Sequence, residues 1–280
     1  MTSLESGGAS TPTAQRGGNG RPELASDDAP PRTPGLLGST LIVARRELGG
    51  YFLTPVAYVF IVIFLFVAGV FTFQLGNFFE IGQADLRPFF VFHPWLYLFL
   101  VPAVSMRLWS EERKQGTIEL LLTLPLPLGS AVAGKFLAAW VFTGIALALT
   151  FPLWITVNYL GSPDNGVIAA AYFGSLLMAG GFLAIGSLVS ALTRNQVIAF
   201  VVTVVACLGF LLAGFPPVLE FFSGWAPRAL VDAIAGFSFL TRFDSIGRGV
   251  VDARDLIFFA TLIGVCLLGT AVIVDVKKGG

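Results

Sequence analysis

Charges are so unevenly spread along this chain that the gaps between them outline its elements. None falls between Glu47 and Glu80, Arg87 and Arg107, Lys135 and Asp164, Asp164 and Arg194, Arg194 and Glu220, or Asp255 and Asp275. The apolar runs inside these gaps cover 55–76, 89–105, 136–160, 167–192, 197–219 and 256–274. Each meets the need of about 20 apolar residues (as few as ~17) for crossing a hydrocarbon core about 30 Å thick. In that core the backbone must satisfy its own polar groups, so each run is predicted to be a helix. Six transmembrane helices follow, in an all-α integral membrane protein.

The flanks read differently. Residues 1–38 are rich in Gly, Ser, Thr, Pro and Ala and hold few large apolar side chains, so they are predicted to be a disordered tail. No apolar stretch follows the tail's scattered arginines as a signal peptide would require. Residues 39–54 combine a short apolar run with Arg45, Arg46 and Glu47 and then Tyr51, Phe52 and Leu53. That mixture predicts a cytoplasmic interfacial helix; the competing reading makes it the start of the first span. Pro55 marks a break or a helix start. Residues 55–280 then form the six-span transmembrane domain, with a charged connection at 107–135 and a long loop at 220–255.

Basic residues set the orientation. With six spans, Arg45, Arg46, Arg107, Arg113, Arg194 and every lysine fall on one side, which makes that side cytoplasmic and places both termini there. The opposite loop carries Arg228, Arg242, Arg248 and Arg254, each near an acidic residue, and its run 229–243 is amphipathic enough to return to the interface. Asp252 and Asp255 are predicted to cap the last helix.

Composition narrows the chemistry. Of 280 residues, 55% are hydrophobic and only 12% charged, about half the charged fraction of a soluble domain. The formal net charge is zero, so there is no global field for nucleic acid. A single histidine, His93, and two cysteines, Cys207 and Cys266, exclude His-rich and cysteine-rich metal centres; both cysteines read as buried apolar residues and His93 as interfacial packing. No Asp, Glu, Lys or Arg lies mid-span, which counts against an ion-coupled carrier. Gln74, Ser105, Thr143, Thr150, Thr156, Ser175, Ser187, Ser190 and Thr203 either line a path or bond to neighbouring backbone. Small residues in 167–192 predict close helix approach, within the chain or between two copies.

One segment resembles a phosphate loop. Gly129 to Phe136 matches G-x-x-x-x-G-K, but Phe136 stands where Mg²⁺ binding needs Ser or Thr, and no strand precedes it. Lys135 is read instead as snorkelling to the cytoplasmic interface.

The charged connection is the most informative stretch. It groups Glu111, Glu112, Arg113, Lys114 and Glu119 beside an apolar stripe of Ile118, Leu121 and Leu122, with Gly116 as a break and Pro125 and Pro127 as a stop. Such an amphipathic element suits either packing on lipid or docking into a soluble partner.

The pattern Glu111-Glu112-Arg113-x-x-Gly116-Thr117-x-Glu119-x-Leu121-Leu122-x-x-Pro125 resembles the cytoplasmic signature of ABC-2-type permeases. His93-Pro94-Trp95, Gly134-Lys135, Thr193-Arg194-Asn195-Gln196 and the stretch from Gly247 to Asp255 are similar to the gliding-motility and nitrous-oxide-reductase-maturation branch. The resemblance covers roughly 40–275. It implies the six-helix ABC-2 permease fold and a separate ATP-binding cassette subunit that carries ATP and Mg, with no cofactor or metal in this chain. Glu111, Glu112, Arg113, Gly116, Thr117, Glu119, Leu121, Leu122 and Pro125 would contact that subunit, with Arg194 and Asn195 as a smaller second contact. It further implies a dimer with a second copy or homologue in the bacterial inner membrane, and allows a periplasmic accessory protein. The cargo is left open between motility or secretion and copper-enzyme maturation. The contrasting expectation is a secondary carrier or channel that works without ATP.

Overall fold

The structure, a computed structural model, describes residues 35–80, 82–117, 127–224 and 227–277, and within them it is helical with no strand. The expected tail and the positions Glu119, Leu121, Leu122 and Pro125 lie outside the described residues, except that residues 36–38 open the first helix.

Helix α1 (Leu36–Phe52) ends one turn before α2 (Pro55–Val70), which starts on Pro55 and runs into a π-helical turn at Phe71–Leu75. Proline suits that place because its missing N–H belongs to the unpaired first turn. Helices α3 (Arg87–Val91), α4 (His93–Ser105) and α5 (Arg107–Gln115) follow almost end to end. Then come α6 (Leu128–Ala148), α7 (Phe151–Leu160), α8 (Asn165–Leu192) and α9 (Gln196–Leu212). The chain closes with α10 (Pro216–Ser223), α11 (Arg228–Gly236), α12 (Phe239–Gly247) and α13 (Ala253–Val276).

Among the described residues, four helical stretches are long and apolar enough to cross a membrane: Pro55–Leu75, Leu128–Leu160, Asn165–Leu192 and Ala253–Val276. A fifth exists if α9 and α10, bent by 68° at their junction, count as one. Two of the expected spans are therefore interrupted. The run at 89–105 is divided at Phe92, and α4 with its 13 residues reaches only about 20 Å. The run at 197–219 turns where Pro216 and Pro217 open a new helix and Gly214 lies hard against Ser238. Length and polarity alone do not register such internal breaks.

The core is organised around α8. The most apolar window of α8 is 78% buried, against 28% for α2 and 22% for α13, whose exposed Val and Phe side chains suit lipid. Glycines make this possible. A Cβ on Gly174 would strike Ile246 of α12, one on Gly180 would press Trp140 of α6 and Ile263 of α13, and one on Gly186 would strike Ser105 of α4. These small residues thus admit other helices of the same chain. Polar side chains in the core mostly satisfy backbone locally: Thr143 donates to the Ala139 carbonyl, Thr203 to Ala199 and Ser105 to Pro102. Cys207 and Cys266 are buried and unpaired.

Helix starts follow side-chain chemistry. Asp164 accepts from the N–H groups of Gly166 and Val167, Asn195 from Val197 and Ile198, and Asp252 from Arg254. Each supplies an acceptor to the unpaired first-turn donors. Asp255 departs from its expected capping role. It is buried and paired at 2.7 Å with Arg242, whose guanidinium also donates to the Gly236 carbonyl and lies over the Phe258 ring. That contact fixes α11, α12 and the start of α13 together.

The Gly186 contact is testable. Gly186→Ala should lower unfolding stability in detergent by about 1–3 kcal/mol, as overpacked cores do. Gly209→Ala, where a Cβ meets nothing within 4 Å, should leave it unchanged or slightly raised; thermal unfolding of both variants makes the comparison.

Candidate functional site

At the C-terminal end of α8 the charged helix α5 is fastened to the core by a dense set of polar contacts. Ser190 on α8 accepts from the backbone N–H groups of Trp109 and Ser110, each at 3.1 Å, and donates to the Met106 carbonyl at 2.9 Å. The fully buried Trp109 indole donates to Ser187 at 3.1 Å. One turn further on, Arg113 Nη1 reaches the Ala191 carbonyl at 2.7 Å, and Lys277 Nζ reaches that of Leu192 at 2.7 Å. Two cations therefore occupy the negative end of the α8 dipole, where unpaired carbonyls favour them. Burial and the nearby Arg194 pull the Arg113 guanidinium below its usual range.

Lys135 is the structural surprise. Only 4% of its side chain is exposed, so it does not snorkel to water as expected. Its ammonium contacts Glu112 of α5 at 2.7 Å and Glu47 of α1 at 3.0 Å, and lies 5.6 Å from the centre of the Trp109 ring. Arg46 pairs with Glu47 at 2.8 Å, which balances the group at two cations and two anions. Burial opposes ionisation of Glu47, but Lys135 and Arg46 outweigh it and hold its carboxyl below the usual 4.5. Helix α1 can approach this closely because Gly134 faces Val43 with no room for a Cβ. The Ser130 hydroxyl also donates to the Leu36 carbonyl, and Tyr51 stacks on Phe142 at 5.1 Å. The stretch from Gly129 to Phe136 is thus helix packed against helix, not a phosphate loop.

The other residues of the expected contact surface are distributed around this cluster. Glu111 accepts from Gln115 on the partly exposed side of α5, and Gly116 ends the helix in the left-handed region at φ 72°. Thr117 follows it and is exposed. A cleft of 320 Å³ lies between α1 and α5, lined by Glu47, Tyr51, Arg107, Glu111, Glu112 and Lys135 among others. Asn195 caps α9 and Arg194 is exposed beside it, one connection away from Arg113. Charge spacing identifies Glu112 and Arg113 but misses Glu47, Trp109 and the two serines, which are joined to them only by tertiary packing. Among the described residues no group of His, Cys, Asp or Glu is placed to hold a metal.

His93 departs from its interfacial reading. It is buried among Phe89, Phe90 and Tyr97, and its Nδ1 and the Tyr97 hydroxyl both contact Ser175 Oγ at 2.8 Å. It joins α4 to α8 from within.

Among the described residues the chain is thus all-helical, with a charged helix locked to its most buried membrane-length helix. The family model for the ABC-2 family transporter protein matches residues 52–234, most of the chain, and the chain belongs to that family. It is thus a membrane protein of the ABC-2 transporter family. Heme exporter protein B of Paracoccus denitrificans is 39% identical over 70 residues, which is 25% of this chain and 32% of that protein. Heme exporter protein B of Rhodobacter capsulatus is 34% identical over the same shares. The match spans about a third of the length of each relative.

Two outcomes follow for the charge cluster. Lys135→Met leaves Glu47 and Glu112 without their shared cation and should cost about 3–5 kcal/mol in detergent unfolding, partly regained by adding Glu112→Gln. The Glu47 carboxyl titrates near 4.5 unfolded and lower when folded. Its stabilising contribution is therefore complete above pH 4.5 and is lost as pH falls through the lower, folded value. Glu47→Gln should flatten that acid limb in a pH series of thermal unfolding.

Proposed function

We propose that this chain is the membrane-spanning half of an ATP-driven exporter, with α5 as the element that receives force from a separate ATP-binding subunit. The observation that carries this reading is the fastening of α5 to the C-terminal end of α8 through Ser190, Trp109 and Arg113. A displacement of α5 cannot be absorbed locally; it tilts α8, on which α4, α6, α9, α12 and α13 also pack. ATP and Mg are bound on the partner, and Glu111, Glu112, Arg113, Gly116, Thr117, Glu119, Leu121, Leu122 and Pro125 form the coupling surface, with Arg194 and Asn195 beside it.

The chain crosses the bacterial inner membrane six times in this reading, through α2, α3–α4, α6–α7, α8, α9–α10 and α13. Helix α1 lies at the cytoplasmic interface and both termini are cytoplasmic. Two copies, or this chain and a homologue, form the complete pathway, and a periplasmic accessory protein completes the machine on the far side. The heme exporter relatives favour export as the direction, and the scarcity of polar groups in the spans favours a cargo of low polarity.

Affinity capture with the co-expressed ATP-binding subunit tests the coupling surface. Arg113→Glu combined with Glu119→Arg should reduce recovery of that subunit roughly tenfold, about 1.4 kcal/mol of contact energy. Ser190→Ala should leave capture intact and lower ATP-driven transport severalfold, because it loosens α5 from α8 without touching the partner. Undiminished capture by the double variant would sink the coupling assignment.

A further inference from the structure

At the end of α8 remote from Trp109 lies a cavity that the coupling reading does not use. Val167 there and Ser190 at the other end stand about 35 Å apart along the helix at its ~1.5 Å rise. The cavity measures 380 Å³ and opens between α3–α4, the α9–α10 bend and α12. That volume lies in the range of about 300–1,000 Å³ typical of small-molecule sites. Much of its wall is apolar, with Phe90, Trp95, Phe215, Leu240 and Phe243 contributing. Arg87, Thr241, Asp244 and Arg248, all exposed, form its polar edge. A second cavity of 250 Å³ shares Arg87, Phe90, Gly247 and Arg248 with the first.

The charges on this lining are unequal. Arg248 is paired with Asp244, one helical turn before it. Arg87 makes no ion pair among the described residues; Asp85 is engaged by the Arg87 backbone N–H at 3.0 Å. One guanidinium is thus left over beside an aromatic slot. A guanidinium presents planar, paired donors that match a carboxylate or phosphate. The slot would cover an apolar body of modest size, and aromatic walls suit rings or chains alike. The loop that holds Arg248 is also sterically set: Gly249 has φ 84°, and a Cβ there would press Val167 at 3.0 Å. That backbone is favourable only for glycine, so the loop following Arg248 lies close against the start of α8.

We propose that this cavity binds an amphiphile with a single anionic group, its head on Arg87 and its apolar body against Trp95, Phe215 and Leu240. Within the transport reading it is a cargo or lipid station at the end of the bundle away from the ATP-binding subunit. That assignment rests on the transport reading, whereas the binding itself does not require it.

The test uses the full chain in phosphatidylcholine nanodiscs with no ATP-binding subunit, so its failure leaves the capture experiment above untouched. Dansylated undecanoic acid and its methyl ester are titrated, and the saturable energy transfer from tryptophan to dansyl is read. The acid should saturate and bind at least about tenfold more tightly than the ester, the scale of one charge-assisted contact of about 1.4 kcal/mol or more. Arg87→Gln should remove that preference, and Arg87→Lys should retain most of it; far-UV dichroism and elution volume establish that each variant is folded. Nanodiscs containing phosphatidylglycerol separate the sources. Competition by that lipid identifies a headgroup as the natural anion, and its absence identifies a dissolved carboxylate; both support the site. Equal binding of acid and ester, or an acid preference that survives Arg87→Gln, overturns it.

Discussion

Lys135 is an ammonium ion with almost no access to water in a chain that holds few charges. Burying such a group costs several kcal/mol unless partners are fixed around it. The partners come from two other helices, Glu47 on α1 and Glu112 on α5, so the cost is offset only when α1, α5 and α6 are all in place. The position of the charged helix is thus determined by electrostatics as well as by packing. Trp109, with its ring near the ammonium and its N–H on Ser187, connects this requirement to α8.

From that junction the molecule reads as a lever and a shaft. Helix α5 is short, ends abruptly at Gly116, and has its backbone donors and acceptors engaged by Ser190. Helix α8 is long, unbroken and buried along most of its length. Arg113 and Lys277 claim carbonyls at its end, so α5 and the chain terminus hold the same point. At the far end α8 meets α12 and the loop after it, where Arg242 and Asp255 fix the outer helices. The two ends are therefore joined by one stiff element and not by a series of loops.

Much of this is legible in the sequence, for physical reasons. Charges are excluded from hydrocarbon, so their gaps locate α2, α6–α7, α8 and α13 closely. The short polar side chain of Asp252 announces the start of α13. Glu112 and Arg113 stand out because five charges crowd one connection. What stays hidden depends on distance through space. The approach of Glu47 to Lys135 joins residues 88 apart, and no local spacing encodes it. Lys135 defies its sequence reading because a lysine near a helix start usually reaches water, and only the two carboxylates make burial tolerable. Asp255 does so in the same way, since Arg242 approaches from a separate helix. The breaks at Phe92 and Phe215 are invisible to hydropathy because both sides of each break are equally apolar.

The glycines of α8 also carry a consequence for how such a protein changes over generations. Gly174 and Gly186 face different neighbouring helices at distances too short for a Cβ, so an enlargement at either forces a shift or a compensating reduction in its neighbour. Single steps at Gly174 and Gly186 therefore carry a stability cost that a paired substitution relieves. The lipid-facing sides of α2 and α13 carry no such linkage and accept one apolar residue for another freely. Sequence drift should therefore be slow and correlated at the centre, fast and independent at the rim.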